Sequence, residues 1–262
     1  MAALHAPAGE PRGRALLVPG FTGSKEDFIE VLAPLARAGY SATAIDLRGQ
    51  FETPPHSSDP HTLDTLAADV CDIGSTGGKP WHVVGHSLGG LIVRHAVIDS
   101  PVLWRSVTLM DSGPAAVIGE AAESLNTIVA ALPAISLEQL WQLKQAFDEQ
   151  QGAAAPPAEI QRFLHHRWTS GDATALRDKA EILLSTQDRT AELASALSEH
   201  SIPALVCVGE DDLYSWSLTE LRGMADRLHA EWSIVEGAGH SPAAEHPEAT
   251  VDLLTEFWSR CL

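Results

Sequence analysis

The chain has 262 residues, which is enough to bury one large core. Its formal net charge of −18 argues against binding to nucleic acid or to an anionic membrane, because both need clustered lysine and arginine side chains. The sequence has no apolar run of membrane-spanning length and no basic leader followed by an apolar stretch. Its three cysteines are scattered, without the spacing of a metal site or a disulfide framework. We therefore expect a cytoplasmic protein.

The N-terminal part of the chain alternates between predicted strands and helices. Residues 1–13 are rich in alanine, proline and glycine, and we interpret them as a loose arm. Residues 15–18 predict a buried strand, and a helix follows that begins near Ser24 and is stopped by Gly39. The next strand is predicted over residues 41–46. The order strand, helix, strand indicates a parallel crossover.

The next segment continues this pattern up to residue 113. A helix is predicted over residues 62–73, because apolar side chains recur there on one side. A short apolar strand begins at Trp81 and ends at a glycine-flanked serine, and a second helix follows that serine. Residues 106–110 form another apolar strand. These elements indicate one continuing parallel sheet.

The pattern changes from residue 114 to about residue 200, where no strand is convincing. Helices are predicted there over residues 115–132, 136–150, 157–167, 172–185 and 189–199. Strands then return at residues 202–208 and 232–235, each followed by a helix, with Pro247 opening the last one. We therefore predict an α/β fold with a mostly parallel central sheet and helices on both faces. Residues 1–113 and 201–262 would form the core, and residues 114–200 an inserted helical cap.

The pattern G-x-S-x-G at Gly85 to Gly89 marks the candidate nucleophile, Ser87. Glycines on both sides let backbone pass close to a sharp turn between a strand and a helix. Such a turn lifts the serine hydroxyl above the end of the strand. The helix that follows offers free N–H groups and its positive end to a developing oxyanion.

A serine hydroxyl is a weak nucleophile and needs a base, which in turn needs a group that orients it. His240 lies in a glycine-rich loop directly after the last predicted strand, although a histidine there could also be a plain surface residue. Asp212 comes three residues after Gly209, just past the strand at residues 202–208. Asp111 also follows a strand directly and remains a second candidate for the acid. The order Ser87, Asp212, His240 is nucleophile, acid, base.

Four separated pieces of the chain together resemble the α/β-hydrolase superfamily, in its esterase- and lipase-like branch with a serine nucleophile and a helical cap. They are Pro19-Gly20-Phe21, Gly85 to Gly90, Gly209 to Asp212, and Gly239-His240. The resemblance implies the α/β-hydrolase fold and an oxyanion hole formed by two backbone N–H groups. By position these belong to Leu88 and Phe21. The chain has Pro19 where histidine is common in the superfamily.

The segment Asp46-Leu47-Arg48-Gly49 resembles the Asp-x-Arg-Gly loop of the same superfamily. We prefer a structural role for this loop, with Arg48 as an anchor. In the superfamily it usually continues with Gly-x-Ser, whereas this chain continues with Gln50-Phe51-Glu52-Thr53.

The triad and the resemblance predict a serine hydrolase of carboxylesterase type, without cofactor or metal ion. Its partner would be a small, largely apolar substrate with a carboxylic ester, or a related thioester or lactone, cleaved through an acyl-enzyme on Ser87. Aromatic residues of the cap could line an apolar acyl pocket, with core packing as the alternative for each: Trp141, Phe147, Phe163 and Trp168. Other possibilities on the same fold are a carbon–carbon bond hydrolase, an acyltransferase, a haloperoxidase-like enzyme or a non-catalytic binding protein.

Overall fold

The structure is a computed structural model that describes residues 1–55, 60–150, 155–212 and 215–261. Across these residues seven strands form one sheet, in the order β1-β3-β2-β4-β5-β6-β7. The strands are β1 (Ala3–Ala6), β2 (Gly13–Val18), β3 (Tyr40–Ile45), β4 (Trp81–His86), β5 (Trp104–Met110), β6 (Ala204–Gly209) and β7 (Glu231–Val235). Every pairing is parallel except that of β1 with β3. This is the α/β-hydrolase architecture that the sequence predicts.

The helices cover both faces of the sheet. They are α1 (Ile29–Arg37), α2 (Leu63–Gly74), α3 (Leu88–Asp99), α4 (Gly119–Ala131), α5 (Leu137–Gln150), α6 (Ala158–Thr169), α7 (Ala173–Ser185), α8 (Thr190–His200), α9 (Leu218–Leu228), α10 (Pro242–Glu245) and α11 (Pro247–Ser259). Within the described residues none of them is long and apolar enough to cross a bilayer. The five helices expected between residues 114 and 200 correspond to α4 through α8.

Alternating side chains of the sheet build two apolar cores, because successive residues of a strand point to opposite faces. On one face Leu16 and Val83 pack with α2, α3, α8 and α9. On the other face Leu17 and Val84 pack with α1 and α11, where Trp258 is almost fully buried. The inner strands β2, β4, β5 and β6 are largely buried and rich in apolar residues, as expected for a parallel sheet covered on both sides.

The prediction of a loose N-terminal arm is wrong. Residues Ala3–Ala6 form an edge strand that pairs antiparallel with β3, and the main chain of Ala2 continues the contact by accepting a hydrogen bond from Asp46. This strand has no apolar run of its own, and its side chains alternate between exposed and half-buried. The open edge of β3 supplies the backbone partners, so the strand forms from pairing and not from its local composition.

Candidate active site

Ser87 lies on a strained turn between β4 and α3, where the sequence places the nucleophile. Its backbone has φ 53° and ψ −118°, a positive-φ conformation that non-glycine residues rarely adopt. A Cβ on Gly85 would overlap the backbone of Gly89 and Gly90, and one on Gly89 would overlap the carbonyl of Val18. The turn therefore needs both glycines. The N–H of Ser87 donates to the carbonyl of Met110 at 2.9 Å, which joins the turn to the end of β5.

Asp212 and His240 meet at the carboxyl ends of β6 and β7. The Nδ1 of His240 is 2.8 Å from Oδ2 of Asp212, and the aspartate side chain is 1% exposed whereas that of the histidine is 30% exposed. A buried carboxylate hydrogen-bonded to Nδ1 selects the tautomer in which Nε2 carries the lone pair that can accept a proton. Gly209 makes the approach possible, because a Cβ there would overlap the carbonyl oxygen of Gly239.

The sequence reasoning missed Glu245, which holds the loop that carries His240. One carboxylate oxygen accepts from the N–H of Gly239 at 2.6 Å, and the other accepts from the N–H of Ser241 at 2.9 Å. The two hydrogen bonds bracket the histidine on both sides along the chain. A glutamate at the end of the four-residue helix α10 gives no local signal of this role, although its spacing of five residues from His240 is compatible with a turn of helix folding back.

His86 also reaches this loop, from inside the nucleophile turn. Its Nε2 donates to the carbonyl oxygen of His240, and the two imidazole rings lie 5.0 Å apart between centroids. Burial, together with the neighbouring His240, lowers the pKa of His86 to about 4. His86 is therefore a neutral hydrogen-bond donor at pH 7, and it ties the residue before the nucleophile to the residue expected to act as the base.

Asp111, the second candidate acid, is fully buried beside Asp212. Its Oδ1 accepts from the N–H of Gly209 at 2.9 Å, and its Oδ2 receives no hydrogen bond from any described residue. Burial raises the pKa of Asp111 to about 9, and the charge of Asp212 raises it as well. Two neighbouring carboxyl groups form a hydrogen bond only if one of them is protonated, and these values make Asp111 the protonated partner.

Asp111, Asp212 and His240 bring three atoms of metal-ligand type within 4.8 Å of one another. Metal ligands must be deprotonated, and one member of this group is a neutral acid at pH 7. The Nδ1 of His240 is in addition engaged by Asp212. This donor set fits a hydrogen-bonded relay better than a cation site.

The loop with the second predicted oxyanion donor, Phe21, is held by a side chain that the sequence reasoning did not interpret. The amide nitrogen of Gln50 donates to the carbonyl oxygens of Gly20 and Phe21, at 2.9 and 3.3 Å. A trans peptide points its carbonyl and its N–H in opposite directions, so the N–H of Phe21 faces away from Gln50. A Cβ placed on Gly20 would lie 3.2 Å from the Cβ of Ser87, so this loop passes close to the nucleophile turn. Leu88, the other predicted donor, is the first residue of α3.

The Asp-x-Arg-Gly segment anchors the loops below this site. Asp46 is fully buried and accepts from both the backbone N–H and the ammonium of Lys25, at 2.8 and 3.0 Å. Arg48 forms a two-point ion pair with Asp69 on α2. These contacts agree with the structural role expected for Arg48.

A cleft lies between the Phe21 loop and the helices after β5. Trp168 is the one of the four predicted pocket aromatics that lines it. Trp141 is buried against Trp168 with 5.9 Å between ring centroids, and Phe163 packs edge-on against Phe51 at 5.9 Å. Phe147 is 56% exposed on α5. Among the described residues that line the cleft are also two cations, Arg167 and Lys179.

Residues 15–253 match the model of the alpha/beta hydrolase family, and the chain belongs to that family. Over 254 residues it is 24% identical to an sn-1-specific diacylglycerol lipase of Xenopus tropicalis, with 92% of this chain and 76% of the relative covered. Its fold is similar to that of a carboxylesterase of Nitrososphaera gargenis, with a TM-score of 0.78 and 16% identity, over 99% of this chain and 94% of the other.

A shorter match relates the chain to the dihydrolipoyllysine-residue acetyltransferase component of the acetoin cleaving system of Cupriavidus necator. The two are 35% identical over 96 residues. The match covers 36% of this chain and spans only a quarter, 25%, of the length of that relative.

Proposed function

We propose that the protein is a serine hydrolase of carboxylesterase type that cleaves a small ester, thioester or lactone through an acyl-enzyme on Ser87. The observation that carries the proposal is the hydrogen bond of 2.8 Å between His240 and the buried Asp212, at the carboxyl ends of the strands, where the strained turn presents Ser87. Membership of the alpha/beta hydrolase family supports it. The ends of parallel strands are the usual place for catalytic groups in open α/β sheets.

In the proposed reaction His240 accepts the proton of the Ser87 hydroxyl while the serine oxygen attacks the carbonyl carbon. The N–H groups of Leu88 and Phe21 stabilise the oxyanion, and each such donor contributes on the order of 3 kcal/mol to the transition state. Asp212 stabilises the imidazolium that forms. His240 then protonates the leaving group. Water, deprotonated by His240, attacks the acyl-enzyme and releases the acid and the free serine.

We propose further that the predicted cap, residues 114–200, contacts the substrate. Its helices α6 and α7 contribute Arg167, Trp168 and Lys179 to the cleft beside the Phe21 loop. Helix α8, the last helix of the predicted cap, packs instead against the sheet, where Leu193 belongs to the apolar core. The part of the cap that would select substrates is therefore α5 to α7 with their connections.

The test replaces the nucleophile. Ser87→Ala should lower kcat/KM for p-nitrophenyl acetate and butyrate by at least about 10⁴-fold, because an isolated triad has no second nucleophile. Ser198→Ala, at an exposed position of α8, is the matched control and should leave the rate unchanged. A fluorophosphonate probe should label the wild-type protein at Ser87 and fail to label Ser87→Ala. Wild-type turnover by Ser87→Ala would contradict the proposal, and a wild-type protein that takes up no probe would favour a non-catalytic binding role.

A further inference from the structure

Lys179 is a buried cation without a counter-ion in the part of the chain that the structure describes. It lies on α7, is 1% exposed, and lines the cleft beside the Phe21 loop. Among the described residues it makes no hydrogen bond and no ion pair. Burying an ammonium group without a partner costs free energy, and a bound anion would offset that cost. The position of Lys179 at the wall of a cleft therefore points to an anionic ligand.

The carboxylates near Lys179 are each already bound elsewhere. Asp46 accepts from Lys25 at 3.0 Å, and Asp178 is paired with Arg177 at 2.9 Å. The third, Asp172, also lines the cleft, but its Oδ1 caps α7 by accepting from the N–H of Ala175 at 2.8 Å. The positive end of that helix offsets part of the charge of Asp172. These acids favour the protonated form of Lys179 from a distance without satisfying its donors.

Trp168 and Arg167 are nitrogen donors of the cap that line the cleft together with Lys179. The indole N–H of Trp168 is buried and has no acceptor among the described residues. Arg167 is instead paired with Asp27, which ties α6 to the segment that precedes α1. Lys179 and Trp168 are therefore two cleft donors without an acceptor among the described residues, and a carboxylate offers two acceptor oxygens.

We propose that this cleft binds a carboxylate group of the substrate, with the ammonium of Lys179 and the indole N–H of Trp168 as its donors. The inference rests on the proposed function, which places the ester on the other side of the Phe21 loop at Ser87. Gly20 in this loop lies so close to the nucleophile that a Cβ placed on it would be 3.2 Å from the Cβ of Ser87. The substrate class is then the half-ester or lactone of a small dicarboxylic acid, in place of the apolar acyl group expected from the cap aromatics.

The titration of Lys179 gives the binding step a signature of its own. Burial lowers the pKa of Lys179 to about 7, and the charges of Asp172, Asp46 and Asp178 oppose this shift. Above pH 7 the amine of the empty site is largely neutral, and a bound carboxylate favours the ammonium. Carboxylate binding at pH 8 should therefore take up a proton, and affinity should fall as pH rises above 7.

The kinetic test compares ethyl hydrogen succinate, glutarate and adipate with the corresponding ethyl methyl diesters, which have nearly the same shape and no charge. Lys179→Met should lower kcat/KM for the best half-ester on the order of 10- to 100-fold, the range for a lost charged hydrogen bond, and leave the diesters within about twofold. Lys144→Met removes an exposed lysine of α5 and should change neither. Equal losses for half-esters and diesters would show a merely structural role, and no loss for either would overturn the proposal.

A binding measurement separates this inference from the proposed function. Calorimetric titration of glutarate into Ser87→Ala should give binding and proton uptake at pH 8, and both should be lost in the double variant Ser87→Ala/Lys179→Met. Binding that is the same with and without Lys179 would overturn the carboxylate site even if Ser87 is the nucleophile. Conversely, if Ser87→Ala keeps its esterase activity while Lys179-dependent glutarate binding is present, only the proposed mechanism fails. Lys179→Met should melt at or above the wild-type temperature, because it removes a desolvated charge.

Discussion

Replacing Asp111 by asparagine tests the protonation state of the acidic pair. Between pH 5 and pH 8 the folded protein keeps a proton on Asp111, whose pKa is about 9, whereas the unfolded chain has released it because the ordinary value is 3.8. The folded state thus binds one more proton, and the free energy of unfolding falls by about 1.4 kcal/mol per pH unit as pH rises. Between pH 5 and pH 8 the contribution of Asp111 to the free energy of unfolding of the wild-type protein therefore falls by ~4 kcal/mol.

Asp111→Asn removes this pH dependence while keeping both contacts. The amide oxygen can accept from the N–H of Gly209, and the amide nitrogen can donate to Asp212. The backbone of Asp111 has φ 47°, a conformation that asparagine also tolerates. The difference in unfolding free energy, variant minus wild type, should therefore increase by ~4 kcal/mol between pH 5 and pH 8. Urea unfolding followed by tryptophan fluorescence at half-unit pH steps measures it.

The same pair of variants decides which carboxylate is the acid of the triad. Asp111→Asn should keep kcat/KM within a few fold. Asp212→Asn should lower it by about 10⁴, because an amide N–H that donates to Nδ1 would hold His240 in the wrong tautomer. Parallel stability curves for wild type and Asp111→Asn would refute a protonated Asp111. An inactive Asp111→Asn beside an active Asp212→Asn would refute the assignment of the acid.

Two further predictions concern the loops around the site. Gly209→Ala should lower kcat/KM by about 100-fold, because the added Cβ would push the Asp212 loop away from Gly239, and a shift of about 1 Å suffices for such a loss. The control is Gly223→Ala in α9, where an added Cβ meets no atom. It should keep full activity and raise the free energy of unfolding by about 1 kcal/mol. Gln50→Glu replaces the amide donor by an acceptor that faces two carbonyl oxygens, so it should lower kcat on the order of 10-fold and leave KM little changed. The control Gln139→Glu, in an exposed capping box, should change neither constant. Esterase rates and melting temperatures check both, and an unaffected Gln50→Glu would show that this side chain does not orient the oxyanion loop.

The fold, and the place in it of the three candidate catalytic residues, could be predicted because their signals are local. Each strand of the parallel sheet is a short apolar run, and each catalytic candidate follows the end of such a run directly in sequence. Topology brings the carboxyl ends of parallel strands to one edge, so Ser87, Asp212 and His240 needed no knowledge of side-chain contacts. The edge strand Ala3–Ala6 had no such run and was missed, since its partner lies some forty residues away.

The supporting contacts could not be predicted because they join distant segments through single side chains. Gln50 acts on carbonyl oxygens 30 and 29 residues earlier in the chain. From the sequence alone, a polar residue in a loop could bind any of many distant backbone groups, or it could bind only solvent. The departure of this loop from the Gly-x-Ser of the superfamily is visible in the sequence. Only the structure shows that Gln50 fixes the peptide whose N–H is expected in the oxyanion hole.

Lys179 lies between these two cases, because its burial has a signal that the sequence reasoning passed over. With Arg177, Asp178 and Glu181 as neighbours it has the composition of a solvated helix face. Helical periodicity gives a different answer, since the residues four before, three after and four after it are apolar, and all three are buried: Ala175, Ile182 and Leu183. A lysine on the apolar stripe of a helix can extend its alkyl chain so that the ammonium reaches water, or it can keep the amine buried, where a ligand can bind it. The first alternative requires an exposed end, and a side chain in a residue that is 1% exposed has almost none.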